Sequence, residues 1–179
     1  MSPRTKKSMA LIGTAAVAAS AAFAGPAGAQ SGSTLVVKGG TIMRPGKAII
    51  DNMRFTPLKK AVKTGSSLTI DNRTEAPHTL SLVRKSALPR NAKQMEAFFR
   101  SPLMGEFMQA HEVDPENEEA PPGKPLVDVG ETGFDQNGDS VFFGPKSKQK
   151  IDVTAKAGTA LSYICLIHPW MQGTLNVKK

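Results

Sequence analysis

In SLTIDNRTEAPHTLSLVR, residues 67–84, two apolar pairs alternate with polar residues, Leu68 with Ile70 and then Leu80 with Leu82. A period of two puts each pair on one face of a half-buried strand, whereas a helix would space them three and four apart. Asn72, Thr74 and Pro77 fall between the two segments and mark a turn. The pattern recurs on both sides. Residues 34–37 and 49–55 precede it, and 140–143, 150–154, 160–164 and 174–177 follow, with Gly or Pro in most of the gaps. About eight short strands without alternating long helices predict a single all-β domain, a sandwich or barrel.

One segment breaks the pattern. Residues 91–111 contain no β-branched residue, and Met95, Phe98 and Phe99 fall at helical spacing. Ser101 followed by Pro102 reads as an N-cap and a first helical residue, the start of a second short helix. An acidic, Pro-rich loop follows over 112–125. Residues 85–138 are therefore expected to form a helical and loop excursion between two strands, too short to bury a core of its own.

The chain has 179 residues, and the first 29 have the form of a secretory leader. Arg4, Lys6 and Lys7 precede a small, apolar stretch, and Ala27-Gly28-Ala29 fits the small-x-small rule for cleavage. The expectation is a signal peptide over 1–29 and one domain over 30–179, exported to the periplasm or beyond. Membrane contact would be confined to the removed leader. The leader carries three of the positive charges and no acid, so its loss takes the formal charge from +8 to +5. That charge is mild and dispersed, which argues against nucleic-acid binding. Cys165 is the one cysteine. In an oxidising compartment a lone thiol is expected to be buried, paired with another chain or bound to a metal.

Tyr163-Ile164-Cys165-Leu166-Ile167-His168-Pro169-Trp170-Met171 places a thiolate, an imidazole and a thioether at C-x2-H-x2-M spacing. Sulfur and imidazole together select copper or zinc over hard cations, and a weak axial thioether describes a mononuclear copper site for electron transfer. Such a site needs a second imidazole, and only His78 and His111 remain. His78 follows Pro77 at the mouth of a strand, a rigid place from which to aim a ligand.

These residues resemble the cupredoxin family. Phe55-Thr56-Pro57, Val62-Lys63-Thr64-Gly65, Asn72 and Pro77-His78 follow the family order, and Cys165, His168, Pro169 and Met171 match the short ligand loop of the amicyanins. The resemblance covers 55–83 and 140–179 and leaves 84–138 uncovered. It implies a Greek-key β-sandwich holding one copper ion, cycling between Cu(I) and Cu(II), on His78, Cys165, His168 and Met171. It also implies a blue copper electron carrier, not an enzyme, with a protein redox partner docking on an apolar patch at His168, Pro169 and Trp170. The alternative function is a periplasmic copper carrier or store. One position departs from the family: Thr79 stands where an Asn usually ties the two ligand loops, so a hydroxyl brings one donor there instead of two.

Two further patterns belong to structure in this reading. Met104, Met108 and His111 share a helix face, expected to pack beside Leu103 and Phe107 in preference to forming a second Cu(I) site or a lid. Asp135-Gln136-Asn137-Gly138-Asp139 has the start of a calcium loop, but Ser140 and Lys146 occupy later ligand positions, so a turn is expected.

Overall fold

The alternation at 67–84 becomes two strands in two different sheets. The computed structural model describes residues 33–117 and 120–179, and the leader expected over 1–29 lies outside them. In chain order the first strands are β1 (Ser33–Lys38), β2 (Thr41–Arg44), β3 (Ala48–Asp51), β4 (Arg54–Thr56), β5 (Lys59–Lys63), β6 (Ser66–Asn72) and β7 (His78–Leu82). Helices α1 (Ala92–Phe99) and α2 (Pro102–Ala110) follow, then β8 (Leu126–Val127), β9 (Ser140–Phe143), β10 (Lys148–Val153), β11 (Ala160–Ile164) and β12 (Gln172–Lys178).

One sheet has the order β10-β6-β1-β4 and the other β5-β12-β11-β7-β9-β8, while β2 and β3 form a separate hairpin. The chain passes from sheet to sheet at β4–β5, β5–β6, β6–β7, β9–β10 and β10–β11, as in a Greek-key sandwich. The inward residues of both sheets interdigitate, Leu35, Val37, Leu68 and Ile70 from one meeting Leu80, Leu82, Val141 and Leu175 from the other. Burying such side chains contributes about 1.5–3 kcal/mol each. Tyr163 lies edge-on to Phe55, ring centroids 5.0 Å apart, and crosses above Gly173. A Cβ at Gly173 would run into the Tyr163 hydroxyl and the Leu58 carbonyl, which is why the register there needs glycine.

Twelve strands among the described residues exceed the eight expected. The additional ones show little periodicity: β2 is exposed throughout, β5 buries only Val62, and β8 has two residues. The segment read as one strand over 49–55 is two, β3 and β4. The Asp51 carboxylate caps the Met53 N–H at 2.9 Å and turns the chain between them. The sandwich also holds two parallel pairs, β1 with β6 and β5 with β12. Parallel partners far apart in sequence leave no local signature.

The helical expectation at 91–111 corresponds to α1 and α2. Asn91 caps α1 by accepting from Gln94 N–H, and Ser101 caps α2 by accepting from Met104 N–H at 3.3 Å. Phe98 and Phe107 turn inward onto Val83, Ile164 and Leu166, so the helices cover the outer face of the larger sheet. The excursion then returns to the sheet as edge strand β8. The 135–139 segment is a turn organised by Asp139, whose buried carboxylate accepts from the N–H groups of Val129, Asp135 and Gln136. Among the described residues no helix is long and apolar enough to cross a membrane.

Candidate metal centre

At one end of the sandwich the mouth of β7 meets the loop between β11 and β12. His78 opens β7 on the same face as Leu80 and Leu82, so strand geometry aims its ring along the core. Cys165 follows β11 two residues after Tyr163 and faces inward with it. The loop beyond is closed by two backbone bonds: Met171 N–H donates to His168 C=O at 2.8 Å, and Cys165 N–H to Met171 C=O at 2.9 Å. Gln172 adds two more ties, its Nε2 donating to the carbonyls of Pro169 at 2.7 Å and Pro89 at 2.9 Å. The loop is thus fixed both to itself and to the segment before α1.

Three donor atoms converge there. His78 Nδ1 lies 3.8 Å and His168 Nδ1 3.7 Å from Cys165 Sγ, and the two nitrogens lie 3.0 Å apart. Among the described residues this is the group of His, Cys and acidic side chains placed to hold a metal ion. His78 and Cys165 are fully buried, and His168 is half-buried. Met171, 1 % exposed, belongs to the same core cluster as Cys165. His111, the other histidine the sequence offered, lies elsewhere: its Nδ1 is 2.7 Å from the Lys124 carbonyl and its Nε2 2.7 Å from Ser140 Oγ. With both nitrogens engaged it completes no second site. Met104 packs against the Phe98–Phe107 cluster, in keeping with a packing face.

The tautomer of His78 is dictated by its far side. Its Nε2 sits 2.8 Å from Thr74 Oγ1, whose own hydrogen goes to Asn72 Oδ1 at 2.9 Å. The Thr74 oxygen must therefore accept from Nε2–H, which leaves the Nδ1 lone pair free to face the sulfur. Asn72 is held in turn by donating from Nδ2 to the carbonyls of Ala76 and Gly144 at 2.9 and 2.8 Å. Thr74 was invisible to sequence reasoning, since a threonine four residues before a histidine has no distinctive signature.

Electrostatics favour neutral imidazoles. Burial, with His168 beside it, holds His78 down to about 4, while Asp51 pulls the other way. Burial also lowers His168, again against Asp51. Burial raises the Cys165 thiol, opposed by the backbone N–H groups of Thr79, His168 and Ile167 and by the Thr79 hydroxyl. A thiolate so deeply buried needs a cation beside it, and two neutral imidazole lone pairs facing it complete a soft, nitrogen-rich donor set. The residues fit a copper ion. Asp51, at the end of the β2–β3 hairpin, is a second contributor the sequence did not reveal.

Thr79 performs the loop tie despite replacing the family's Asn. Its Oγ1 accepts from Leu166 N–H at 2.8 Å, and its own N–H points at Cys165 Sγ at 3.4 Å. Thr79, next to His78, thereby bonds two consecutive residues of the ligand loop.

No family model and no curated protein matches the chain. Similar solved structures include a purple cupredoxin from Nitrosopumilus maritimus, 14 % identical, covering 81 % of this chain and 98 % of that one with a TM-score of 0.42. Auracyanin from Roseiflexus castenholzii is 16 % identical, with 85 % and 100 % covered and a TM-score of 0.46. Amicyanin from Paracoccus versutus is 12 % identical, with 83 % of each chain covered and a TM-score of 0.40. These neighbours are cupredoxins, the family that the sequence motifs resemble. At such low identity and TM-scores, the metal reading rests on the chain's own donor atoms.

Proposed function

We propose that the chain is a type 1 copper protein, an exported one-electron carrier with no substrate chemistry of its own. The observation behind this reading is the meeting of His78 Nδ1, His168 Nδ1 and Cys165 Sγ at one buried point. Met171 takes the weak fourth position in this account. A structural zinc site takes four strong ligands, whereas three strong ligands and a thioether suit copper. One bound copper ion supplies a Cu(I)/Cu(II) couple.

The protein's part is constraint and access. Thr74 and Asn72 fix the His78 ring, and Thr79 and the Cys165–Met171 backbone bonds fix the loop, so little rearranges when an electron moves. His168 is the ligand at the surface. Trp170, 43 % exposed, stands edge-on to it with ring centroids 5.1 Å apart, and Ile167 is exposed beside them. This apolar patch, with Pro169, is where a protein redox partner docks, and His168 is the electron port.

A copper carrier would have to surrender its ion. Reversible reduction and reoxidation of the copper-loaded protein, with the ion retained against a Cu(I) chelator, is the expected result. Loss of copper to the chelator within each reduction cycle would overturn the shuttle and favour the carrier.

A further inference from the structure

Between β1 and β4 the chain leaves the sandwich as the β2–β3 hairpin, which joins neither large sheet. Residues 41–50 are exposed throughout. Register sets Ile42 opposite Ile50 and Met43 opposite Ile49. Neighbouring residues of a strand face opposite ways, so both faces of the hairpin are apolar. Met43 and Ile49 are each 70 % exposed. Pro45 and Gly46 make the tip, where Lys47 N–H donates to Arg44 C=O at 3.0 Å and the side chains of Arg44 and Lys47 stand in solvent. A two-stranded hairpin is marginal in water on its own, and an uncovered apolar one marks a contact surface.

On the other side of the sandwich a cavity of about 430 Å³ opens between the helical excursion and the ligand loop. Phe99, Met104, Phe107, Met108, Phe142 and Ile167 give it an apolar lining. Val113 also borders it, and the exposed Glu112 and Asp114 flank Val113 in the chain, with Glu116 just beyond. Arg100, next to Phe99, is held by Glu96 at 2.9 Å, and Lys124, bonded through its carbonyl to His111, is the opposing charge. Among the described residues none of Arg44, Lys47, Glu112, Asp114 and Glu116 takes part in an ion pair. The hairpin is apolar with a basic tip, and the cavity is apolar with an acidic margin.

Both features lie at the metal end of the fold. The hairpin starts just after Lys38, whose neighbour Val37 is in register with Asn72, the residue that holds the His78 lock. Ile167 in the cavity wall precedes His168. One feature rises from the smaller sheet and the other flanks the outer face of the larger, with the His168 end between them. Two copies turned about a two-fold axis through that end bring each hairpin to the other's cavity, so the contact closes on itself. We propose that the β2–β3 hairpin docks in this cavity of a second copy, forming a two-fold dimer across the His168 end. Arg44 and Lys47 then meet the carboxylates of Glu112, Asp114 and Glu116, and Met43 offers its thioether to the aromatic lining. A lipid surface suits the hairpin less, because tip-first entry would carry Arg44 and Lys47 deepest.

The dimer does not depend on the copper reading, so metal-free protein serves for its test. Sedimentation velocity of the mature chain over a range of concentrations should show a reversible monomer–dimer equilibrium that weakens with salt. Emission from Trp170, the one tryptophan, should move to shorter wavelength as the dimer forms. Arg44→Glu with Lys47→Glu should lose the dimer, and so should Glu112→Lys with Asp114→Lys. Mixed in equal amounts, these two variants should form a heterodimer, since each reversed hairpin meets a reversed margin and each native hairpin a native one. A wild type that stays monomeric overturns the proposal, and its sedimentation with vesicles of anionic phospholipid would assign the hairpin to a membrane instead. A dimer that both variants retain, a mixture that stays monomeric, or a dimer that leaves Trp170 emission unchanged overturns it as well.

Discussion

The two histidines of the centre are nearly touching and live in different surroundings. His78 is fully buried at the start of a strand and locked through Thr74 to Asn72. His168 lies in a loop, half-buried, with the exposed Trp170 against it. The contrast separates two tasks that a redox centre must combine. One ligand is anchored where nothing can move it, and the other is placed where a partner can reach it.

The comparison predicts unequal responses to the same deletion. His78→Ala should abolish copper binding and also destabilise the metal-free fold by about 2–4 kcal/mol, because it opens a cavity and strands the Thr74 hydroxyl. His168→Ala should lose tight copper binding but cost the fold under about 1 kcal/mol, since its gap opens to solvent. Chemical denaturation of both metal-free variants measures the difference. Equal losses would erase the distinction between anchor and port.

Thr74→Val sharpens it further. The shape is kept, but the buried His78 Nε2–H loses its acceptor, which should cost about 1–3 kcal/mol and broaden the copper spectrum as the ring loosens. Denaturant midpoints and visible line width report the two effects separately.

Acidification should cost the anchor most. His78 has a pKa held down to about 4, against 6.5 for a free imidazole, so between these values the unfolded chain binds the proton that the folded chain refuses. Stability of the metal-free protein is therefore full above pH 6.5 and falls toward pH 4, at up to about 1.4 kcal/mol per pH unit from this group. His111 and His168 are shifted in the same direction and add to the fall. Denaturant unfolding at a series of pH values checks the sign.

Trp170→Asp is the mildest change. It should leave the copper spectrum unaltered and stability within about 0.5 kcal/mol, and slow electron exchange with a protein partner. Copper loss from this variant would mean that Trp170 supports the site and does not belong to a docking patch.

Much of this was legible in the sequence because it follows from local rules. Period-two alternation marked β6, β7 and β11, and the Ser101-Pro102 pair marked the start of α2. The spacing of Cys165, His168 and Met171, together with Pro77-His78, brought the donor set into view, and three of its members do meet. Other features depend on long-range pairing. The parallel partners of β1 and β5 lie far away in the chain, and β2 has no buried face to impose a pattern. Ser81 and Ser140 read as ordinary outward polar residues until the excursion that covers them is placed. Thr74 and Asp51 act on the histidines through space and leave no trace in spacing.

The most direct test is a titration of the metal-free mature protein with Cu(II), followed by visible absorption beside Cys165→Ser. The account predicts an intense thiolate-to-copper band that saturates at one ion per chain and is absent from the serine variant. A wild type that binds copper without that band, or a serine variant that retains it, would contradict the assignment of Cys165 as the ligand that defines the centre.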